Sequence, residues 1–386
     1  MKAFGSIPHV ICIGSKSDQS YQYLLEQNPN IQQSQLPQID SLILIDRSFD
    51  LTTPLLTEVH FEGFIKNAFR SDYNIIEDDN NNTYILSENN SVFRALRMLS
   101  WGKTREFVRN IQEEIDRTFT SLNNSVNSHE VTHHFKDLNE LSNIREELQR
   151  LFGLANNAVK KLHDNNPLFD SIVQSQFQLL FNGRKTTDFA ENIITLYDDW
   201  LNALRLIFLQ SAYGYSSNPK DVMQFQQTIC AEFGLKFQEV LIDLEKIGYV
   251  SHLEMKLPIK GCLSSLGLFA DVGEDMESLE PIGSAFGGYI PPVVKVLQNV
   301  VNNEISELKR LIGDKIKVME YGENVKREKD EMKRVLVFFV GGVTSVEVGM
   351  IRNLGRKVYG GNVEFIVGAT EELTSNKFLK QLCPFL

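Results

Sequence analysis

Three runs of the chain are apolar on consecutive residues rather than on alternate ones. Arg334 to Val340 has no helix breaker, and after its first residue it is wholly β-branched, aromatic or aliphatic. A run that is apolar on both pleat faces predicts a central parallel strand covered on both sides. Gly341 and Gly342 follow and permit a sharp turn. Thr344 and Glu347 have capping-box spacing, so a helix is expected there, with Val346, Met350 and Leu354 on one face. Val363 to Gly368 is the second run, and strand, turn, helix, strand makes a βαβ unit. The third run, Ser41 to Asp46, lies near the other end of the chain. Two strands do not make such a sheet. The third run is therefore expected beside the other two, giving one α/β domain built from both chain ends with the middle inserted into it.

Between these runs the pattern changes period. His9 to Gly14 predicts a short edge strand and Ser20 to Glu26 a helix. Pro54, behind Thr53, reads as the first residue of a capped helix, with a bend at Gly63. Glu77 to Asn82 is acidic and Asn-rich and reads as a surface loop. From Val92 the spacing is helical: Val92, Leu96, Leu99, Phe107, Ile111, Ile115 and Phe119, then Phe135, Leu138, Leu141, Ile144, Leu148 and Leu151. The second set suits packing on one neighbouring helix. Asn165 to Pro167 ends it, and Phe169 to Phe181 returns. Asp188 to Phe208 predicts one strong helix. Three compact helices up to Gly248 and a β-wing at Tyr249 to Leu257 resemble a winged-helix module without a basic recognition helix. A helix from Val293 to Ile312 and a charged surface loop from Lys315 to Lys333 complete the reading. The expected fold is α/β plus α, with residues 1–90 and 255–386 in the discontinuous sheet domain and 91–254 in an inserted, mainly helical one.

Composition narrows the function classes. The 386 residues are 42% hydrophobic and carry a formal charge of −11, which argues against binding a nucleic-acid backbone. Cys12, Cys230, Cys262 and Cys383 lack metal-ligand spacing and read as reduced thiols. Pro8 and His9 interrupt the only apolar stretch near the start, which makes a poor signal peptide, and no run approaches the roughly 18 residues of a membrane span. A cytoplasmic protein that meets membranes only through partners is expected.

Chemical motifs are few. His129, Glu130 and His133 match H-E-x-x-H, in which two histidines on one helix face hold zinc and the glutamate activates water. The match abuts an Asn/Ser-rich break, so a solvated helix start and a zinc hydrolase are the two readings. Asp46 and Asp50 end a strand where α/β enzymes place catalytic groups, and an Asp46–Arg47 ion pair fixing the loop is the plainer account. Gly341 to Thr344 offers helix-start amides to a phosphate, without the lysine of a P-loop or the spacing of a dinucleotide site. No cofactor is implied, and an interaction protein is the better reading.

Taken together, Leu42 to Leu56 (strand, Asp46-Arg47, Asp50, Thr53-Pro54-Leu55), Phe61-Glu62-Gly63 and Val337 to Thr344 with Glu347 resemble the signature elements of the Sec/Munc (SM) family of SNARE regulators. Leu241 to Gly248 and Tyr289 to Lys295 look most like its vacuolar protein sorting 33 branch. The resemblance extends from about Phe4 to the end. It implies a non-enzymatic protein that binds SNARE helices, with the sheet domain as SM domain 2 and the inserted one as SM domain 3. It further implies a place in the HOPS and CORVET tethering complexes, docked on the helical C-terminal part of the vacuolar protein sorting 16 subunit, peripheral to endosome and lysosome or vacuole membranes. Leu235 and Gln238, in the helix after Phe233-Gly234, are the partner-facing residues it implies. In the family an N-terminal α/β domain precedes the Phe4-Gly-Ser-Ile-Pro8 stretch and forms a SNARE groove with the helical tip, here about Arg145 to Arg184. That domain is expected to be absent from this chain.

Overall fold

The computed structural model describes residues 7–27, 38–124, 131–212, 289–312, 316–322 and 331–383, with isolated positions between 223 and 268. The chain opens with β1 (His9–Ile13), α1 (Ser15–Gln27) and β2 (Ser41–Asp46), followed by α2 (Phe61–Ala68) and three short strands, β3 (Arg70–Asp72), β4 (Ile75–Glu77) and β5 (Thr83–Ile85). Helices α3 (Ser91–Leu96), α4 (Trp101–Asn124), α5 (Val131–Asn165), α6 (Phe169–Asn182), α7 (Thr187–Tyr197) and α8 (Trp200–Ala212) come next. The C-terminal part holds α9 (Pro292–Val301), α10 (Ile305–Ile312), β6 (Val318–Gly322), β7 (Lys333–Val340), β8 (Val343–Thr344), α11 (Ser345–Asn353), β9 (Val363–Ala369), β10 (Glu372–Leu373) and α12 (Ser375–Leu382). By internal contacts, Met1–Thr57, Asp170–Gly283 and Gly287–Leu386 form one unit, and Glu58–Phe169 with Ser284–Phe286 form another.

In the first unit the strand order is β6-β1-β2-β7-β9. Strands β1, β2, β7 and β9 are parallel, and Ile43 stands opposite Val337 in register. The two chain ends therefore do share a sheet. It is mixed rather than purely parallel, because β6 runs antiparallel along β1. That strand lies inside the segment expected to be a charged loop, and it makes β1 an interior strand rather than an edge. The charges around Val318 to Gly322 hid a strand that needs only one paired side, since edges tolerate polar residues. The expected coverage of β7 holds for one face. Val335, Val337 and Phe339 are fully buried, whereas Leu336 and Phe338 are partly buried and pack on a core of Val10, Cys12, Tyr21, Leu42 and Leu44.

The helices around the sheet depart from the predicted pattern at two breaks. Asp188 to Phe208 is two helices, because Asp198 adopts a left-handed conformation at φ 54° and accepts the Trp200 indole N–H at 2.9 Å. Leu196, expected on the buried face, is 70% exposed. Val293 to Ile312 is likewise split, with Asn303 at φ 63°. Among the described residues no helix is long and apolar enough to cross a membrane.

In the second unit, α5 is a 35-residue helix. Its buried face is Leu148, Leu151, Leu154, Ala155 and Ala158, whereas Ile144, assigned to the seam, is 38% exposed. The short sheet β3-β4-β5 had no counterpart in the sequence reading, since three-residue strands leave too few positions for a period to register. Gly63 lies inside α2 instead of bending the chain. A Cβ there would meet Glu58 Cβ at 2.4 Å and the Glu58 carbonyl oxygen at 3.0 Å. Gly63→Ala is expected to destabilise by about 1–3 kcal/mol through overpacking. Gly153→Ala, exposed on α5 with nothing within 4 Å of the added Cβ, should stabilise by about 0.5–1 kcal/mol. Paired urea melts of the two variants check this.

Candidate functional site

The signature residues at the C-terminal ends of β2 and β7 form one buried polar centre. Asp46 closes β2 and turns its carboxylate back on α1 and forward on the next turn, accepting the amides of Lys16 and Ser48 at 3.0 Å each. Arg47 does not pair with Asp46, as the plainer sequence account had it. Its guanidinium bonds Glu347 at 2.9 Å and lies 3.4 Å from the Asp50 carboxylate, while Nε donates to the Asp50 carbonyl at 2.9 Å. Asp50 in turn accepts the amides of Thr52 and Thr53 and the Thr53 hydroxyl, and Thr53 Oγ1 lies 3.3 Å from the Tyr289 hydroxyl. All these side chains are buried. Burial pushes the Asp50 carboxyl above its ordinary range, against the pull of Arg47, with the Glu347 charge adding to the rise. Burial, together with Asp50, raises the Tyr289 hydroxyl far above its usual value.

The glycine turn completes this centre. Gly341 has φ +104°, and a Cβ there would stand 2.7 Å from Arg47 Cβ, so Gly is required both for conformation and for the close approach of the arginine. Thr344 and Glu347 form the predicted capping box at the start of α11. The amides that a phosphate would need are already engaged: Gly341 donates to Thr370 Oγ1, Val343 to the Glu371 carbonyl, and Thr344 to Glu347. With these amides engaged and Arg47 held against it by Asp50 and Glu347, the turn is a structural device.

A second buried centre lies in the other unit. Glu62 on α2 receives Lys66 at 2.9 Å and Arg97 at 2.5 Å, and Arg97 also pairs with Glu88. His60 Nδ1 lies 2.8 Å from the Arg97 carbonyl. Desolvation lowers the His60 imidazole to about 4. Glu62, despite its own desolvation, is held at about 2 by Arg97 and Lys66. Both groups therefore take up protons more readily in the unfolded chain. The His60 contribution is present above its ordinary value near 6.5 and is lost as pH falls from there toward 4. The Glu62 contribution is lost between about 4.5 and 2. Unfolding free energy should drop by about 2 kcal/mol from pH 7 to pH 5 on account of His60. Urea titrations at both pH values check this, and His60→Asn should flatten the dependence.

The residues singled out for function are only partly described. Leu235, His129 and Glu130 lie outside the described residues, as does most of the winged-helix-like stretch. His133 sits in the backbone of α5. Among the described residues no group of three His, Cys, Asp or Glu is placed to hold a metal. Gln238 is helical and exposed, and Ile242 is helical and 45% exposed. In the helix expected after Gly234, Gln238 and Ile242 stand four positions apart, the spacing of one helix face. The i+4 spacing was the available signal for it. Phe233, just before this segment, packs edge-on against Trp200 of α8 at 4.8 Å.

Comparison with known proteins bears on these features. The model of the Sec1 family matches residues 1–381. Vacuolar protein sorting-associated protein 33A of Rattus norvegicus is 22% identical over 98% of this chain and 68% of its own length. The vacuolar protein-sorting-associated protein 33 homolog of Arabidopsis thaliana is 22% identical over 83% of this chain and 58% of its own length. The vacuolar protein sorting-associated protein 33 of Schizosaccharomyces pombe is 24% identical over 89% and 63%. The chain thus spans about two thirds or less of most of the relatives it matches. Among solved structures, the SM protein Vps45 in complex with the Qa SNARE Tlg2 superposes with a TM-score of 0.61 at 14% identity, over 98% of this chain and 66% of that one. Sly1p in complex with an N-terminal peptide of Sed5p gives 0.54 at 14% identity, over 98% and 64%.

Proposed function

The chain belongs to the Sec1 family, and on that premise we propose that it is an SM-type regulator of SNARE-mediated membrane fusion in endosome-to-lysosome or vacuole transport. It acts as the SNARE-binding subunit of a HOPS/CORVET-type tethering complex, in the cytoplasm and peripheral to the membranes it serves. The observation that carries this reading is the family match across nearly the whole chain, with relatives of the protein 33 group. The burial of the signature residues supports a scaffold over an enzyme: Arg47 and Glu347 join the two chain ends, Asp50 braces Arg47, and Asp46 holds the turns after β1 and β2. SNARE helices are the proposed ligands, in keeping with the SNARE-bound state of Vps45.

The helical C-terminal part of the vacuolar protein sorting 16 subunit is the proposed anchor, met by Leu235, Gln238 and, on the same face as Gln238, Ile242. An apolar helix face against a partner helix is a recurrent mode of recognition. The division into SM domain 2 (1–90 with 255–386) and SM domain 3 (91–254) belongs to the same proposal and concerns function; the contact grouping cuts the chain at other places. Pull-down with the helical partner subunit and with a Qa SNARE tests the reading. Both should be retained by wild-type protein, and Ile242→Asp should lose the partner subunit while keeping wild-type stability. Folded protein that retains neither ligand would overturn it.

A further inference from the structure

We propose that the facing parts of α8 and the first turn of α12 hold a small oxyanion of the phosphate or sulfate class, gripped by Arg205, the Ser375 hydroxyl and the first free amides of α12. The proposal does not rest on the fusion reading.

Arg205 is only 4% exposed, yet no carboxylate among the described residues pairs with it directly. Its Nη1 donates to Thr57 Oγ1 at 3.0 Å and to Asn202 Oδ1 at 2.6 Å, and its Nη2 donates to Asn376 Oδ1. All three acceptors are neutral. Asp199 makes no bond to the guanidinium; its charge acts on it across space, and it accepts the Asn202 amide at 2.7 Å. Of the five N–H donors of an arginine, Nε is buried without a partner and one N–H of Nη2 is unused. These two adjacent donors form the fork that binds two oxygens of one oxyanion. Burial lowers Arg205 to about 10, so it remains a cation at neutral pH. A buried cation with no directly bonded counter-charge is costly.

The first turn of α12, which meets Arg205 through Asn376, has matching chemistry. Asn376, which holds Nη2, lies in the first turn of α12. Ser375 beside it is buried, and its hydroxyl has no partner. Thr374 caps the helix by accepting the Lys377 amide at 3.2 Å, which leaves the amides of Ser375 and Asn376 among the orphan donors of a helix start. Helix starts favour anions. The unpaired Nε of Arg205 and the unpaired Ser375 hydroxyl are features that this general preference does not explain. Both unpaired atoms are closed to solvent, so exchange requires the first turn of α12 to open, and binding is slow.

The test is calorimetric titration of the full chain with inorganic phosphate and with sulfate after overnight equilibration, against chloride at matched ionic strength. Wild type should bind both oxyanions and not chloride. Ser375→Ala should weaken Kd at least fivefold, and Arg205→Gln, if folded, should abolish binding. Because Arg205→Gln removes a buried group and can fail to fold, Ser375→Ala decides the matter. No oxyanion binding by wild type, or an unchanged Kd in Ser375→Ala, would overturn the proposal.

Discussion

Replacing Arg47 with Met is expected to cost about 3–5 kcal/mol of folding stability, because it leaves two buried carboxylates facing one another without their cation. Asp50 and Glu347 both contact this guanidinium and both are buried. Asp50 is already displaced toward its protonated form by burial even with Arg47 present. Without it, the cheapest response of the fold is to protonate one of the two acids. The stability contributed by a buried carboxyl raised in this way is lost as pH rises from the ordinary carboxylate value up to the raised one. The gap between variant and wild type should therefore narrow as pH falls, and urea melts of the pair at pH 5 and pH 8 measure it. An equal gap at both values would mean that the two carboxylates are not the groups left exposed to each other's charge.

Val337→Asp is expected to be at least as severe, costing several kcal/mol or unfolding the chain at room temperature. Val337 lies in the middle of β7, is wholly buried, and stands in register with Ile43 on one side and Val367 on the other. Aspartate there would face apolar partners in register on both sides, and an isolated buried carboxylate must protonate or unfold its surroundings. The neighbouring Phe338→Asp should be milder, since Phe338 lies on the partly buried face where its ring packs 2.9 Å from the position of a Gly368 Cβ. Far-UV circular dichroism and thermal melts rank the two variants. A reversed order would contradict the assignment of the faces.

The sheet was legible because its interior strands are apolar on both faces and its turns are marked by glycine. Ser41 to Asp46, Arg334 to Val340 and Val363 to Gly368 all became strands in the expected sheet, and the Thr344–Glu347 box starts its helix. What escaped reading is governed by single conformations or by distant atoms. Asp198 and Asn303 break helices whose apolar period runs on past them. Val318 to Gly322 is a strand because β1 offers an open edge, which no local pattern encodes. Gly63 reads as a bend, and its real reason is the close approach of Glu58, Cβ first. Arg47 was read with its sequence neighbour Asp46, whereas its strongest partner, Glu347, lies at the far end of the chain. The two unpaired polar atoms at Arg205 and Ser375 carry no sequence signal at all, since each is defined by what it does not touch.

The joining of the two chain ends is tested most directly by a double-mutant cycle on Arg47 and Glu347. Arg47→Met, Glu347→Gln and the double variant are each melted in urea beside the wild type. Contact across 2.9 Å predicts that the double variant is more stable than the sum of the single losses allows, with a coupling of about 0.5–3 kcal/mol. Losses that add to within about 0.5 kcal/mol would mean that the two residues do not meet, and the shared sheet would have to be given up.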